Sequence, residues 1–308
     1  MSVAPLVLIP KNGLGNRLRA VASGLETARI TERPLEVLWE PFDGSKTNPD
    51  DLFEIPDEFR FLGSEEAAER GIDSRAIPDG LSLGRNIVFL RGRDKGQQRY
   101  LPRFVETLRS DNHTTGVVVA GNYFHPESRE PDSLDRMTLA ARRELSKILQ
   151  FNPEVKAHAR NSRPGRRYLG LHLRASDRRK EVPSPMRVLA RAVQLAKWYS
   201  LSEVFICSDS EETRLLGVEA LCREGMKVFM SPSSPVRRDV EGEKVAGGDF
   251  LNLRGSTILV GARESTFATE AAVGNDHSRH VLLTRRSTGS ARLNRLLRRR
   301  FGDSARFW

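Results

Sequence analysis

Two hydrophobic rhythms alternate along the chain. Short unbroken apolar or β-branched runs at Ala4–Ile9, Leu35–Trp39, Asn86–Leu90 and Gly116–Ala120 predict strands buried on both faces. The second half repeats the theme at Tyr168–Leu173, Glu203–Ser208, Met226–Met230, Ser256–Val260 and His280–Thr284. Between these runs, Asn16–Ile30, Leu134–Leu149, Pro185–Tyr199, Glu211–Arg223 and Glu264–Val273 carry apolar residues three or four apart, the helical period. Strands alternating with helices predict an α/β protein built on parallel sheets covered on both faces. Phe151–Arg167 interrupts the pattern with Pro, Gly and Arg near the midpoint. It reads as the passage between two domains, residues 1–155 and 156–308. Pro41–Pro56 reads as a long loop over the first domain, and no internal repeat is evident.

Composition narrows the class. A chain of 308 residues is long enough for two domains, and 38% hydrophobic with 29% charged residues fits a globular protein. The longest apolar runs span only a few residues, too short for a transmembrane helix. Met1–Pro10 lacks a basic leader and a small-residue cleavage site, so it reads as a buried first strand. Two cysteines, Cys207 and Cys222, provide neither a disulfide framework nor a metal quartet, and a cytoplasmic location is expected. The net charge of +10 is concentrated at the C-terminus, where Arg279–Trp308 carries nine arginines against Asp303. A local patch of this kind does not predict a nucleic-acid-coating protein. Leu293, Leu296, Leu297 and Phe301 among those arginines suggest a basic amphipathic helix. It either touches a membrane peripherally through residues 291–301 or packs its leucines on the protein body.

Ligands in doubly wound sheets sit beyond the carboxyl ends of the strands, so polar residues there are the candidates. In PKNGLGNRLRA (10–20), Gly13 and Gly15 permit a tight turn, and helix N–H groups starting near Asn16 would face a ligand. The dinucleotide pattern G-x-G-x-x-G is incomplete, because Leu18 stands at the third glycine. A glycine-shaped corner and a phosphate-binding turn both remain open for this loop. LGLHLRASDRRKE (169–181) drives an apolar strand into His172, Arg174 and Asp177. Arginine at a strand end offers a permanently charged planar fork for phosphate oxygens, and Asp177 could hold that fork in place. The alternative is a structural salt bridge. In VFICSDSEE (204–212) and VGARESTFATEAA (260–272), Ser208, Asp209 and Ser210, and Ser265 and Thr266, end strands where helices begin. They either cap those helices or bind ribose, base or phosphate.

In this order the segments resemble the GDP-fucose-dependent fucosyltransferase superfamily, which includes the nodulation and core α-1,6, α-1,2 and protein O-fucosyltransferases. The family's G-x-G-N loop is similar to Gly13–Arg19, and its H-x-R signature to His172, Arg174 and the nearby Asp177. Its later SD or TD pair is similar to Ser208–Asp209, and its SSF-like turn to Ser265, Thr266 and Phe267. The resemblance implies a GT-B fold of two Rossmann-like domains facing a cleft. It implies inverting, metal-independent transfer from a GDP-sugar, GDP-fucose above all, to a glycan, glycolipid or protein acceptor, with no cofactor. No D-x-D pair of the metal–diphosphate kind is present. The leaving diphosphate would then rely on a protein cation, Arg174 first and Arg17 or Arg19 second. Donor contacts are expected from Gly13, Gly15, Asn16, Arg17, His172, Arg174, Ser208, Asp209, Ser210, Ser265, Thr266 and Phe267. Asp177 joins Arg174 as a candidate catalytic group, and Glu181 is the candidate base. Arg19, with Asn122, Tyr123 and His125 after a strand of the first domain, is expected on the acceptor side, where aromatic faces suit sugar rings. Two further readings stand beside this one: a non-catalytic binder of anionic ligands through the basic C-terminus, and a dinucleotide-dependent oxidoreductase.

Overall fold

Five residues with no exposed face, Leu6–Pro10, form β1 at the centre of the first sheet. A computed structural model of the chain describes residues 3–41, 45–84, 86–91, 95–125, 138–175, 183–232, 239–273 and 279–283. After β1 come α1 (Leu14–Ile30), β2 (Leu35–Val37), α2 (Pro49–Leu52), β3 (Arg60–Phe61) and α3 (Ser64–Glu69). Then follow β4 (Gly80–Gly84), β5 (Ile87–Arg91), α4 (Lys95–Ser110) and β6 (Thr115–Ala120). The strands order as β3-β2-β1-β6-β5-β4. All neighbours run parallel except β4 and β5, an antiparallel edge that corrects the expectation of purely parallel sheets.

The helices α5 (Leu139–Ile148) and α6 (Pro153–Ser162) lead to the second sheet. It comprises β7 (Leu169–Leu173), α7 (Pro185–Trp198), β8 (Glu203–Ser208), α8 (Glu211–Arg223) and β9 (Lys227–Phe229). It ends with α9 (Val240–Arg254), β10 (Ile258–Ala262), α10 (Thr266–Val273) and β11 (Arg279–Leu283). The order is β11-β10-β7-β8-β9, parallel throughout. The second sheet winds outward from β7 in both directions, whereas the first winds outward from β1 to β3 and then returns inward from the β4 edge to β6. The points where the winding reverses lie between β1 and β6 and between β7 and β10, the places where such sheets open a crevice.

The expected passage at Phe151–Arg167 is mostly helix. Asn152 caps α6 by accepting from the Val155 N–H at 3.0 Å, and Pro153 occupies the first turn, where its missing N–H costs nothing. Two further helices run through residues that break helical patterns. In α4, Leu101, Phe104, Val105 and Leu108 are buried at helical spacing around Pro102. In α9, Gly247 and Gly248 stand where a Cβ would lie 2.7 Å from Val155 and 2.8 Å from His158. Those glycines let α9 lie close against α6, so the residues that disguise the helix in sequence are the ones its packing needs.

The core does not stop at the passage between sheets. Ring contacts run from Trp39 to Phe53, Phe151, Phe250, Phe267 and His172, with successive centroids 5.0–5.8 Å apart. Edge-to-face and tilted pairs of this kind add to the area they bury. The chain of rings links the end of β2 to the strand that carries His172 and so holds the two sheets' crevices in register. Among the described residues, no helix is long and apolar enough to cross a membrane.

Candidate functional site

Residue Arg174 follows directly on β7, the middle strand of the second sheet, at the reversal point. Its Nε lies 3.1 Å from Asp209 Oδ2, while Asp209 Oδ1 accepts from the Ala175 N–H at 2.7 Å. Asp209 comes off the end of β8, whose Cys207 and Ser208 register beside His172 and Leu173. One carboxylate thus fixes both the guanidinium of Arg174 and the backbone just beyond it. Asp209, expected to contact the donor, holds Arg174 in place. Asp177 and Glu181 lie outside the described residues. Charge-assisted bonds of this type set a planar cation in one orientation before any ligand arrives.

Across the reversal point, β10 ends at Ala262 and the chain turns into α10 through Glu264 and Ser265. Ser265 is buried, its Oγ accepts from the Ala268 N–H at 3.4 Å, and its carbonyl accepts from the Thr269 N–H. Ser265 is therefore a capping residue. Ser210 is one too, accepting from the Thr213 N–H at 3.3 Å, while Ser208 Oγ accepts from the Ser210 N–H at 3.2 Å. The His172 ring is buried against Phe267, 5.4 Å between centroids.

The loop after β1 meets this turn from the other sheet. Gly13 caps α1 in extended backbone, and Asn12 takes a left-handed φ of 69° with its amide donating to the Gly121 carbonyl at 3.1 Å. A Cβ on Gly15 would lie 2.6 Å from the carbonyl carbon and oxygen of Thr266 and 2.7 Å from the Phe267 nitrogen. The close approach that Gly15 permits is to the 265–267 turn of the second sheet. The first turns of α1 and α10 therefore abut, which brings the positive ends of two helix dipoles together. Gly13, Leu14 and Phe267 line a shared hollow with Ser45, Leu52, Glu243 and Ala246. Glu243 of α9 accepts from the Ser45 hydroxyl, the Lys46 N–H and the Thr47 hydroxyl at 2.6–2.7 Å, tying the 45–47 loop to the second sheet's side.

Two arginines expected to face ligand are instead structural. Arg17 is fully buried, donates to the Asn12 and Glu40 carbonyls at 3.1 and 2.7 Å, and lies over Trp39 at 4.5 Å. Burial lowers its pKa to about 10, which leaves it charged at neutral pH. Arg19 donates to Glu270 at 2.6 Å, to the Thr269 hydroxyl and to Asn122 at 3.3 Å, and lies over Tyr123 at 4.7 Å. Glu270 also takes two bonds from Arg142 at 2.7 and 2.9 Å. Arg19, Asn122 and Tyr123 come together beside an ionic network joining α1, α5 and α10. His125 is buried nearby in sequence. Sequence reasoning missed Glu243, Glu270 and Arg142, because each finds its partners more than a hundred residues away. Among the described residues no cluster of metal-ligating side chains occurs.

No protein-family model matches the chain, and no curated protein sequence does. Solved structures do. The α-1,6-fucosyltransferase NodZ soaked with GDP-fucose is 17% identical with a TM-score of 0.57, over 88% of this chain and 93% of that one. Arabidopsis thaliana FUT1 in complex with GDP is 16% identical with a TM-score of 0.61, over 92% and 71%. POFUT1 in complex with GDP is 11% identical with a TM-score of 0.58, over 91% and 98%. The chain is similar in structure to these fucosyltransferases and has their GT-B fold, as the resemblance implies.

Proposed function

We propose that this chain is an inverting, metal-independent glycosyltransferase that takes its sugar, fucose in the first instance, from a GDP donor. The observation that carries the proposal is Arg174, held by Asp209 at the reversal point of the second sheet, where α10 also begins. A diphosphate leaving group develops negative charge as its bond to the anomeric carbon breaks. A preoriented guanidinium and helix N–H groups stabilise that charge without reorganisation. The acceptor hydroxyl attacks the opposite face of the anomeric carbon and passes its proton to a base, for which Glu181 is the candidate; the bond from that carbon to the diphosphate oxygen breaks, and the sugar carbon inverts. Arg174 binds the departing phosphate oxygens, Asp209 orients Arg174, and the capped turn at Ser265 supplies backbone donors. Crystal complexes of NodZ and POFUT1 with GDP-fucose and GDP support a GDP-sugar as the ligand class. A glycan, glycolipid or protein acceptor and a cytoplasmic location belong to the same reading. So does peripheral membrane contact through residues 291–301, which liposome sedimentation with and without the C-terminal segment checks.

Thermal shift against GDP, GDP-fucose, GDP-mannose, UDP-sugars and NAD tests the class, since a ligand at a hundred times its Kd adds about 2.7 kcal/mol of stability. GDP compounds are expected to shift the transition and NAD is not. Arg174→Ala is expected to keep the circular dichroism spectrum and lose transfer by about a thousandfold or more. Full transfer by that variant ends the proposal.

A further inference from the structure

Among the described residues, the buried carboxylate oxygens are provided with donors, with one exception. Glu270 takes guanidinium N–H groups on both oxygens, Glu243 takes three donors from the 45–47 loop, and Asp249 accepts from Ser231. Oε2 of Glu264 is buried and accepts no hydrogen bond, the only carboxylate oxygen in that condition among the described residues. A buried carboxylate oxygen with no donor is costly, and native structures rarely keep one without a purpose. Glu264 stands between the end of β10 and the cap of α10, at the reversal point beside β7. Its neighbours in sequence are already committed: the Arg263 N–H donates to the Leu283 carbonyl, and Ser265 caps α10.

We infer that Glu264 is a hydroxyl-reading residue of the donor site, its free oxygen accepting from an O–H group of the bound nucleotide-sugar. The inference rests on the GDP-sugar reading above. A carboxylate is acceptor-only when ionised, so the ligand group it faces is a donor. A phosphate offers none at neutral pH and would be repelled, whereas ribose and hexose present hydroxyls. The arrangement divides the cleft by charge, with Arg174 and the helix N-termini for the diphosphate and Glu264 for the polyol next to it. A site built to accept from a hydroxyl rejects the analogue lacking it, because its own oxygen then stays unpaired. The ribose and the transferred sugar are the two possible sources of that hydroxyl.

Titration calorimetry on the full chain separates them. Affinities for GDP, 2′,3′-dideoxy-GDP and GDP-fucose are measured for the unmodified protein, Glu264→Ala and Glu264→Gln. If ribose is the source, the unmodified protein prefers GDP over the dideoxy compound by about tenfold or more, and Glu264→Ala removes the preference. If the sugar is the source, the preference for GDP-fucose over GDP collapses by a similar factor in Glu264→Ala. The ligand-free Tm is expected to hold or rise in Glu264→Ala, because no internal hydrogen bond is lost and a buried oxygen without a donor is removed; a clear fall would mark a structural residue and overturn the inference. Should the alanine variant not fold, Glu264→Gln must still weaken one preference by about threefold, and an unchanged pair of ratios overturns the inference. GDP binding with both ratios intact in Glu264→Ala overturns it and leaves the proposed function standing. Failure of the unmodified protein to bind any of the three overturns both.

Discussion

Arg17 and Arg174 each come shortly after the central strand of a parallel sheet, and each stands where a phosphate-binding cation is expected. Arg17 has no exposed surface, stacks on Trp39 and ties two loops of the first sheet through their carbonyls. Arg33 does the same on a larger scale, donating to the carbonyls of Ala4, Thr114, Leu108 and Asp111 at 2.6–2.8 Å. Arg174 keeps some exposure and is held by a carboxylate from the next strand. The difference lies in the partners. Backbone carbonyls fix Arg17 as part of the scaffold, while a carboxylate from the neighbouring strand orients Arg174 at the mouth of the crevice. In the proposed function the first sheet contributes the wall of the cleft and the second its chemistry.

Removing Arg17 makes the sharpest break between the two. Arg17→Ala leaves the Asn12 and Glu40 carbonyls without their donor and empties the space over Trp39. A loss of about 3–5 kcal/mol in unfolding free energy is expected, read from urea denaturation. The fraction that stays folded is expected to bind GDP with unchanged affinity. Weakened GDP binding with unchanged stability would return Arg17 to the ligand site and erase the contrast with Arg174.

A smaller effect of the opposite kind is expected on the other sheet. Asp209→Asn keeps an acceptor for the Ala175 N–H but loses the charge that orients Arg174. Transfer is expected to fall by about 10- to 100-fold in kcat/KM, ~1.4–2.7 kcal/mol of transition-state stabilisation, with little change in unfolding free energy. A variant that loses stability instead would make the Arg174–Asp209 pair a structural salt bridge like those of the first sheet.

The ease with which these features could be read from the sequence follows the same line. Strands β1, β6, β7, β8 and β10 announce themselves as apolar runs because both their faces are buried. The helices α4, α6 and α9 do not, because Pro102, Pro153 and the Gly247–Gly248 pair are local breakers whose value lies in tertiary packing. Polar residues at His172, Arg174, Ser208, Asp209 and Ser265 lie at or just past the carboxyl ends of β7, β8 and β10, where sheet topology opens a crevice. What those residues touch was not legible. Asp209 reaches Arg174 across neighbouring strands, Gly15 serves the opposite sheet, and Arg19 meets Glu270 at a separation of 251 residues. Glu264 lay in plain view in the same strand-to-helix turn as Ser265. Its signal, an oxygen left without a donor, exists only in three dimensions.

Buried acid supplies the last test of how the two sides differ. The first sheet buries cations against carbonyls, whereas α9 of the second buries Asp249 with Ser231 as donor and Arg214 as the nearby positive charge. Burial dominates, raising the Asp249 pKa from 3.8 to about 7. The folded state thus holds a proton that the unfolded chain has already released. Stability is fully present below the unfolded pKa and is lost as pH rises towards the folded one. Asp249→Asn imitates the protonated form and retains an oxygen for Ser231. Its advantage over the unmodified protein is expected to widen by about 1–2 kcal/mol between roughly pH 5.5 and 7, then level off, as followed by Tm across that range. An advantage that does not change with pH would mean that Asp249 is ionised in the folded protein. The charge of Arg214 would then outweigh desolvation, and both sides of the cleft would bury their charges as satisfied pairs.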